Sequence, residues 1–416
     1  MTKRIYAILV PLLVILPALA FAGGTSEKGN AGAQAQASPQ TVQFWYHLDN
    51  PQAVITPIVE EFQKANPNIK IDAVRIPWSS YYQKLVTAIA GSSAPDASLV
   101  KLWWQPQLVS LGALQPLDSW LSSWNGKSDI YPSIWKLTTY NGKNYYMPLQ
   151  DVILYVYYRT DYFKNAGIGT TPKTADEFLA DAEKLTGNGV YGFGIRGAAG
   201  GHDFWLTFVG PYINSFTDAG LTTQSVIDAN QWYINLFRKY HVAPPSAPSD
   251  GFNETIANMK NGKTAMTIHH IGSAAGLVAA LGDKIGAFVV PAASNGKRWT
   301  SFGDEETAMY ATSKVKDATW KWISYLATAA PNLQWVKASG QVSVDQSNAN
   351  VDYGVLNPFM KVTAESMPYA QILPSVDATT QFVNTVWPAT MQQAFLGQIT
   401  STQMMDTFGK LYGSGK

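Results

Sequence analysis

Aromatic and hydrogen-bonding side chains stand together at three places where a strand is predicted to end. They are Tyr46 and His47 with Asp49 close behind, Trp78, and the pair Trp103 and Trp104 followed by Gln105. Neighbouring strand residues face opposite sides of a sheet, so one tryptophan of the pair is expected to contact a ligand and the other to pack in the core. Ligands bind outside the carboxyl ends of the strands in open α/β sheets. The alternative is that both rings pack beneath the following helix.

The histidines do not have the spacing of a metal site. His269 and His270 are adjacent, so in a strand they would point to opposite faces and could not readily ligate one ion. His47, His202 and His241 show no ligand spacing either, and the chain has no cysteine. We therefore expect neither a metal nor another cofactor.

Asp304, Glu305 and Glu306 are consecutive acids that raise the question of catalysis. A pair of carboxylates could serve a glycosidase as acid and nucleophile. Three acids at the entry to a strand are more typical of a turn or a hinge, from which Asp304 or Glu305 could reach a cleft. The sequence contains no G-x-S-x-G or H-E-x-x-H motif. These residues favour a binding protein, and a secreted carbohydrate-active enzyme or lectin is the alternative.

Alternating strands and helices are predicted to position these residues. Three strands are predicted at TVQFWYHL, IKIDAVRIP and DASLVKLW, each followed by a helical pattern, which indicates an α/β fold with a mainly parallel sheet. The run GKNYYMPLQDVILYVYYRTDYF has no turn signal and could carry the chain from one lobe to the next. TADEFLADAEKLT is predicted to be a helix capped by Thr174, with Glu177 completing a capping box.

Length and composition narrow the class of protein. The chain has 416 residues, which is long for a single core and predicts two lobes. Its 30 basic and 29 acidic residues are nearly balanced, so the charge footprint of a nucleic-acid-binding protein is absent. Hydrophobic residues make up 46% of the chain and charged residues 14%, which is typical of a packed globular protein.

The first residues have the features of an export signal. Lys3 and Arg4 precede an apolar run from residue 5 to 21, and Ala20 and Ala22 provide small residues for cleavage before residue 23. We predict a signal peptide at 1–22 and a flexible tether at 23–40, with an uncleaved anchor as the alternative. The mature protein is expected to be exported and to be periplasmic or associated with the cell surface. Since the chain has no cysteine, it has no lipid-attachment site.

Several short stretches occur in an order that is specific to one family. They are FWYHLDNP, IVEEFQKANPNIKIDAV, YYQKLVTAIAGSSAPD, LGALQPLD, LYVYYRTDYFKNAGI, PKTADEFLADAEKLT and NGKTAMTI. Together they resemble the extracellular solute-binding proteins of ABC importers, and most closely the sugar-binding branch that includes maltose-binding protein. The resemblance covers nearly all of the chain after the export signal.

This resemblance implies a two-lobed periplasmic-binding-protein fold, in which each lobe is a mainly parallel sheet flanked by helices. Hinge closure traps a ligand between such lobes. By analogy the chain crosses between lobes near residues 150–152, 302–304 and 357–360. Lobe 1 is then expected to comprise residues 41–150 and 304–357, and lobe 2 residues 151–303 and 358–416.

The same resemblance implies that the ligand is a sugar or oligosaccharide, which a monomer delivers to the permease of an ABC importer. Aromatic rings would cover the apolar face of the sugar, and polar side chains would pair with its hydroxyl groups. The candidates that it adds are Gln150 and Asp151 at the first crossing, His202, Asp203 and Trp205 in the glycine-rich stretch RGAAGGHDFW, and His269 or His270. A non-sugar solute such as a polyol phosphate is a further alternative, which the scarcity of Arg and Lys in these loops disfavours.

Overall fold

The computed structural model describes residues 38–47 and 51–414, without the side chains of 51–54, 79 and 304. The predicted signal peptide, most of the predicted tether and Asp49 lie outside these residues. The first strand begins at Gln40, one residue inside the predicted tether. In the part of the chain that is described, no helix is both long enough and apolar enough to cross a membrane.

Strands and helices alternate along most of the chain, as an α/β fold requires. The strands are β1 (Gln40–Tyr46), β2 (Ile69–Arg75), β3 (Ala97–Lys101), β4 (Thr139–Tyr140), β5 (Lys143–Asn144), β6 (Tyr146–Arg159), β7 (Tyr191–Gly194), β8 (Thr264–His270), β9 (Ile285–Phe288), β10 (Thr300–Met309), β11 (Val342–Ser343) and β12 (Ala370–Gln371). The helices are α1 (Pro51–Ala65), α2 (Trp78–Ala90), α3 (Gln105–Ser110), α4 (Asp118–Leu121), α5 (Pro132–Thr138), α6 (Thr160–Asn165), α7 (Ala175–Lys184), α8 (His202–Val209), α9 (Asp218–Leu221), α10 (Gln224–Arg238), α11 (Phe252–Lys260), α12 (Ala274–Leu281), α13 (Lys316–Leu326), α14 (Ala329–Ser339), α15 (Asn357–Ser366), α16 (Asp377–Gln381), α17 (Trp387–Phe395) and α18 (Ser401–Gly413).

One mixed sheet continues through both lobes, in the order β2-β1-β3-β10-β6-β8-β7. Its parallel pairs are β1 with β2, β1 with β3, β7 with β8 and β10 with β12. β10 is antiparallel to β3 and β6, and β6 is antiparallel to β8 and β9. The two-lobed α/β fold is confirmed, but the sheet is mixed rather than mainly parallel, because the two strands that pass between the lobes run antiparallel to their neighbours.

These two strands, β6 and β10, pass side by side from one lobe to the other. Asp151 of β6 lies opposite Asp304 of β10, and Val152 lies opposite Gly303. Ile153 still packs in the core of lobe 1, whereas Val152 packs in the core of lobe 2. A two-stranded antiparallel ribbon at 150–152 and 302–304 therefore joins the lobes.

A third connection lies earlier than the predicted 357–360. Asn348 donates hydrogen bonds to the Ala329 carbonyl and to Ser343 in lobe 1. Leu356 already packs with Tyr155 in a cluster attached to lobe 2. The chain crosses between these points, and residues 357–360 form the first turn of α15.

The core of lobe 1 lies between the sheet and helices such as α1. Ile55, Ile58 and Phe62 are buried and spaced so that they share one face of α1. Each such buried side chain contributes roughly 1.5–3 kcal/mol relative to exposure. In lobe 2 the aromatic residues Phe204, Trp205 and Phe382 are buried in the corresponding core.

Candidate ligand-binding site between the lobes

The tryptophan pair follows β3 in a 3₁₀ turn, not in a strand. β3 ends at Lys101, residues Leu102–Trp104 form the turn, and α3 starts at Gln105 with Pro106 in its first turn, where a proline is tolerated. Successive residues of a 3₁₀ helix are about 120° apart, so the two rings still diverge. The strand-alternation argument was wrong about the geometry, although it separated the same two rings.

Trp103 lies at the contact between the lobes. Its ring centroid is 6.2 Å from that of His202 in lobe 2, in an edge-on arrangement. The Thr380 hydroxyl of α16 donates a hydrogen bond of 2.8 Å to the Trp103 carbonyl oxygen. Trp103 is only half-buried, and its indole Nε1 has no hydrogen-bond partner among the described residues.

Glu305 is the centre of a charged cluster on the lobe 1 side. It accepts hydrogen bonds from Lys101 and Gln150, and His47 Nε2 lies 3.0 Å from its Oε1. Gln150 is itself oriented by Trp335, whose Nε1 donates to Gln150 Oε1 at 2.7 Å. Burial alone would raise the pKa of Glu305, but Lys101 and His47 outweigh it and hold this pKa well below the usual range. Glu305 is therefore a fixed carboxylate that accepts hydrogen bonds, and it is not suited to act as a general acid.

Lys101 belongs to this cluster, although it was not predicted from the sequence to be a site residue. Its Nζ lies 5.3 Å from the ring centroid of Trp78 and 5.8 Å from that of Trp103, within cation–π range. The Trp78 ring centroid is in turn 4.8 Å from that of His47. The signal that could have identified Lys101 is its position as the last residue of β3, a strand whose five residues are all buried.

The lobe 2 side is formed by the loop that leads from β7 into α8. Gly201, the last residue before α8, lies against the backbone of Arg196 and the ring of Trp387. A Cβ at Gly201 would overlap the Arg196 carbonyl and come within 2.7 Å of the Trp387 ring. The glycine therefore allows the loop to bring His202 beneath Trp103.

His202 is buried at this contact among aromatic rings. Burial lowers its pKa, and Asp203 opposes the shift. Asp203 Oδ1 lies 3.4 Å from His202 Nε2, which is long for a hydrogen bond. Both ring nitrogens are buried without a hydrogen-bond partner among the described residues.

His269 and His270 lie at the carboxyl end of β8. Their ring centroids are 4.7 Å apart, so the expectation that they face opposite sides was wrong. The reason is that His270 ends the strand and caps the following turn, accepting a hydrogen bond of 3.1 Å from the Gly272 amide. Gln341 Nε2 of lobe 1 lies 3.1 Å from the same His270 nitrogen, and His269 Nδ1 lies 2.7 Å from the Ser273 hydroxyl. Burial lowers the pKa of both rings, that of His270 to about 3.

Four candidates lie in the cores and not at this contact. Trp104 is buried within lobe 1, 5.9 Å from Trp78 and 4.9 Å from Tyr82 between ring centroids. Tyr46 is buried beside Phe44, and Gln105 donates a hydrogen bond of 2.8 Å to the Thr138 carbonyl. Trp205 is buried in lobe 2, where its Nε1 donates to Asn230 at 2.7 Å. Burial of the large rings, with the hydrogen bonds of Gln105 and Trp205, accounts for these residues without a ligand, and Trp104 Nε1 is buried without a partner among the described residues.

Two acidic candidates lie at the ribbon that joins the lobes. Asp151 is buried in β6 opposite Asp304 of β10, whose side chain is outside the description. Asp49 is outside the described residues altogether. Within residues 38–47 and 51–414, no three His, Asp or Glu side chains are grouped so that they could hold a metal ion.

Some of the buried polar atoms that lack hydrogen-bond partners among the described residues lie where the lobes meet, and others lie within the lobes. Those where the lobes meet include Trp103 Nε1, Arg196 Nε, both ring nitrogens of His202, His269 Nε2 and Gln341 Oε1. More than nine in ten buried polar groups in proteins are hydrogen-bonded, so each of these atoms calls for an explanation. A polar ligand between the lobes would provide the missing partners.

Known proteins share both the sequence pattern and the fold. A family model described as bacterial extracellular solute-binding protein matches residues 28–332. A binding protein of Brucella abortus is 26% identical over 359 residues, which cover 82% of this chain and 85% of that protein. The mannitol-binding protein of Pseudomonas aeruginosa is 25% identical over 329 residues, 74% of each chain.

A solved structure extends the comparison to the fold. The maltose-bound MalE3 of T. maritima superposes with a TM-score of 0.82 at 19% identity, over 90% of this chain and 99% of that one. At this identity the likeness concerns the two-lobed fold alone. With a family model that matches most of its length, this chain belongs to the bacterial extracellular solute-binding proteins.

Proposed function

We propose that the protein captures a sugar or oligosaccharide between its lobes and presents it to the membrane permease of an ABC importer. The observation that carries this proposal is the group of aromatic rings and unpartnered polar atoms contributed by both lobes around Trp103 and His202. Its relatives include a mannitol-binding protein, which is consistent with a polyhydroxy ligand.

The chemistry of the group suits such a ligand. The half-buried rings of Trp78 and Trp103 offer apolar faces to the C–H face of a sugar ring. Glu305 is an ionised acceptor, while Lys101 and Arg196 are donors, so hydroxyl groups would find partners of both kinds. Charge-assisted hydrogen bonds of this type are the stronger ones.

The contacts between the lobes are of a kind that a hinge motion can break. They include the edge-on rings of Trp103 and His202, the Gln341–His270 hydrogen bond and the Thr380–Trp103 hydrogen bond. The ribbon of β6 and β10 would remain intact as the lobes separate. Ligand binding between the lobes would then favour the closed state, since a ligand shifts such an equilibrium only by its differential affinity.

We further propose that the protein binds its ligand without altering it, acts outside the cytoplasm as a monomer, and reaches that location through the signal peptide at 1–22. The ionised state of Glu305 supports the first point, because a glycosidase needs a protonated carboxylic acid near its nucleophile. The extracellular family supports the location.

Mass spectrometry of small molecules released from the purified, heat-denatured protein tests the proposal. We expect a released sugar, and we expect that sugar to raise the melting temperature of protein freed of ligand by unfolding and refolding. Chromatography after prolonged incubation should return the sugar intact. A panel of sugars that leaves the melting temperature unchanged would contradict sugar binding, and cleaved sugar would contradict a purely binding role.

A further inference from the structure

Arg196 is a buried cation to which the fold gives no direct counterion. It follows β7 at the start of the glycine-rich loop, and only 7% of it is exposed. Its Nε is enclosed without a hydrogen-bond partner, and its side chain takes part in no hydrogen bond or ion pair with any residue that the structure describes. This contrasts with Lys101, which is neutralised by Glu305 of the neighbouring strand in lobe 1.

The surroundings hold the guanidinium in place without neutralising it. The guanidinium carbon lies 5.7 Å from the ring centroid of Phe252, and Gly200 packs so closely that a Cβ there would overlap the guanidinium group. Burial lowers the pKa of Arg196 to about 10, while the charges of Asp203 and Glu254 act in the opposite direction. The group therefore stays charged at neutral pH. Neither carboxylate pairs directly with Arg196. Asp203 Oδ1 lies 3.4 Å from His202 Nε2, and Glu254 accepts a hydrogen bond from the Gly251 amide.

Arg196 lies near other groups whose buried polar atoms lack hydrogen-bond partners among the described residues. The unpartnered nitrogens of His202 and His269 belong to residues close enough for the charge of Arg196 to lower their pKa values. An uncompensated buried charge is strongly unfavourable, so a partner for Arg196 would stabilise the closed form. The planar fork of a guanidinium fits a carboxylate in a bidentate arrangement.

We propose that the ligand carries a carboxylate and that Arg196 binds it, which makes the ligand an acidic monosaccharide such as a hexuronate or an aldonate. This inference rests on the proposed function, because it assigns the substrate class of the same cleft. Arg196 carries a single positive charge without a direct counterion among the described residues, and one carboxylate would neutralise it. A phosphate monoester would add a second negative charge beside Asp203, so the charge balance favours the carboxylate.

A panel of matched acids and neutral sugars tests the proposal on the full-length mature protein. The acids are D-glucuronate, D-galacturonate, D-gluconate and D-galactonate, and their neutral counterparts are D-glucose, D-galactose, D-sorbitol and galactitol. Glucose 6-phosphate is included as the phosphate arm. We expect at least one acid to raise the melting temperature and to bind about 10- to 100-fold more tightly in calorimetry than its neutral counterpart, the range for a hydrogen-bonded charge pair.

Variants of Arg196 identify the group responsible for this preference. Arg196→Gln should abolish the preference for the acid, and Arg196→Lys should retain only part of it, because lysine keeps the charge but not the fork. The exposed Arg238 on α10 provides the matched control, and Arg238→Gln should leave the preference unchanged. If Arg196→Gln fails to fold, the role of Arg196 is tested by comparing the preference for the acid between the unaltered protein and Arg196→Lys. A preference that is as strong in Arg196→Lys would overturn that role.

The outcomes separate this inference from the proposed function. Binding confined to neutral sugars, or a preference for glucose 6-phosphate over every acid, overturns the carboxylate assignment and leaves sugar capture standing. An acid preference that survives Arg196→Gln overturns the role of Arg196. Failure of every acid to raise the melting temperature also overturns the inference, and failure of every compound counts against the proposed function as well.

Discussion

At the scale of single residues, types and positions in the sequence indicated part of the region where the lobes meet but not its charges. Trp103, His202 and His270 were selected from the sequence and lie at the contact between the lobes, and His47, Trp78 and Glu305 form the neighbouring cluster of lobe 1. Lys101 and Arg196 were missed because each adjoins an apolar strand, where a charged side chain gives no periodic signal. Only the arrangement of strands places Lys101 next to Glu305.

Replacing the two adjacent tryptophans separately should have different effects. Trp104→Ala removes a fully buried ring and should lower the free energy of unfolding by about 3–5 kcal/mol. Trp103→Ala removes a half-buried ring at the cleft and should weaken sugar binding by about 1.5–3 kcal/mol with a smaller loss of stability.

Urea unfolding and calorimetry with the released ligand measure both effects. Trp124, a half-buried tryptophan whose ring contacts are with Trp135 and Trp320, provides the control, and Trp124→Ala should leave affinity unchanged. Equal affinity of Trp103→Ala and the unaltered protein would remove Trp103 from the site.

At the scale of elements, local signals were reliable where one short segment determines the structure. The capping box of α7 is present as predicted, with the Glu177 amide donating to the Thr174 hydroxyl at 3.2 Å. The 3₁₀ turn at Leu102–Trp104 and the early third crossing were not predictable in the same way. Their conformations depend on contacts with residues distant in sequence, such as Thr380 for the turn and Tyr155 for the crossing.

The loop before α8 should not tolerate a side chain at Gly201. Gly201→Ala should lower the free energy of unfolding by about 1–3 kcal/mol, because the new methyl group overlaps the Arg196 carbonyl and crowds Trp387. It should also weaken ligand binding by displacing Arg196 and His202.

A glycine without such neighbours provides the matched control for this substitution. Gly169 has open space around its Cβ position and does not have a positive φ, so Gly169→Ala should be nearly neutral. Thermal melts and calorimetry on both variants test the difference. A Gly201→Ala protein as stable as Gly169→Ala would show that the loop relaxes freely.

At the scale of the whole molecule, buried histidines make stability depend on pH. Burial lowers the pKa values of His202 and His269 below the ordinary value of 6.5. In the unfolded chain these rings take up protons below about pH 6.5, while in the folded protein they stay neutral until a lower pH. Stability is therefore complete above pH 6.5 and decreases as the pH falls.

Urea unfolding between pH 7.5 and pH 5 should show this loss. Each such histidine contributes a slope of up to about 1.4 kcal/mol per pH unit. His269→Asn should reduce the slope, whereas His241→Gln, at an exposed position, should not change it. A slope that is the same in both variants would show that His269 does not contribute. Carboxylates such as Glu305 would add to the loss only at lower pH.

The central position of β10 in lobe 1 has a consequence for the order in which the newly made chain can fold. β10 pairs with β3, whose residues precede it by about two hundred positions, and α13 and α14 pack on the same lobe. Thus β3 lacks its second sheet neighbour, and the first three strands lack part of their covering layer, until the last third of the polypeptide has been synthesised. Contacts so distant in sequence form slowly. The polypeptide therefore cannot complete lobe 1 early, which would suit the export through a signal peptide that we propose.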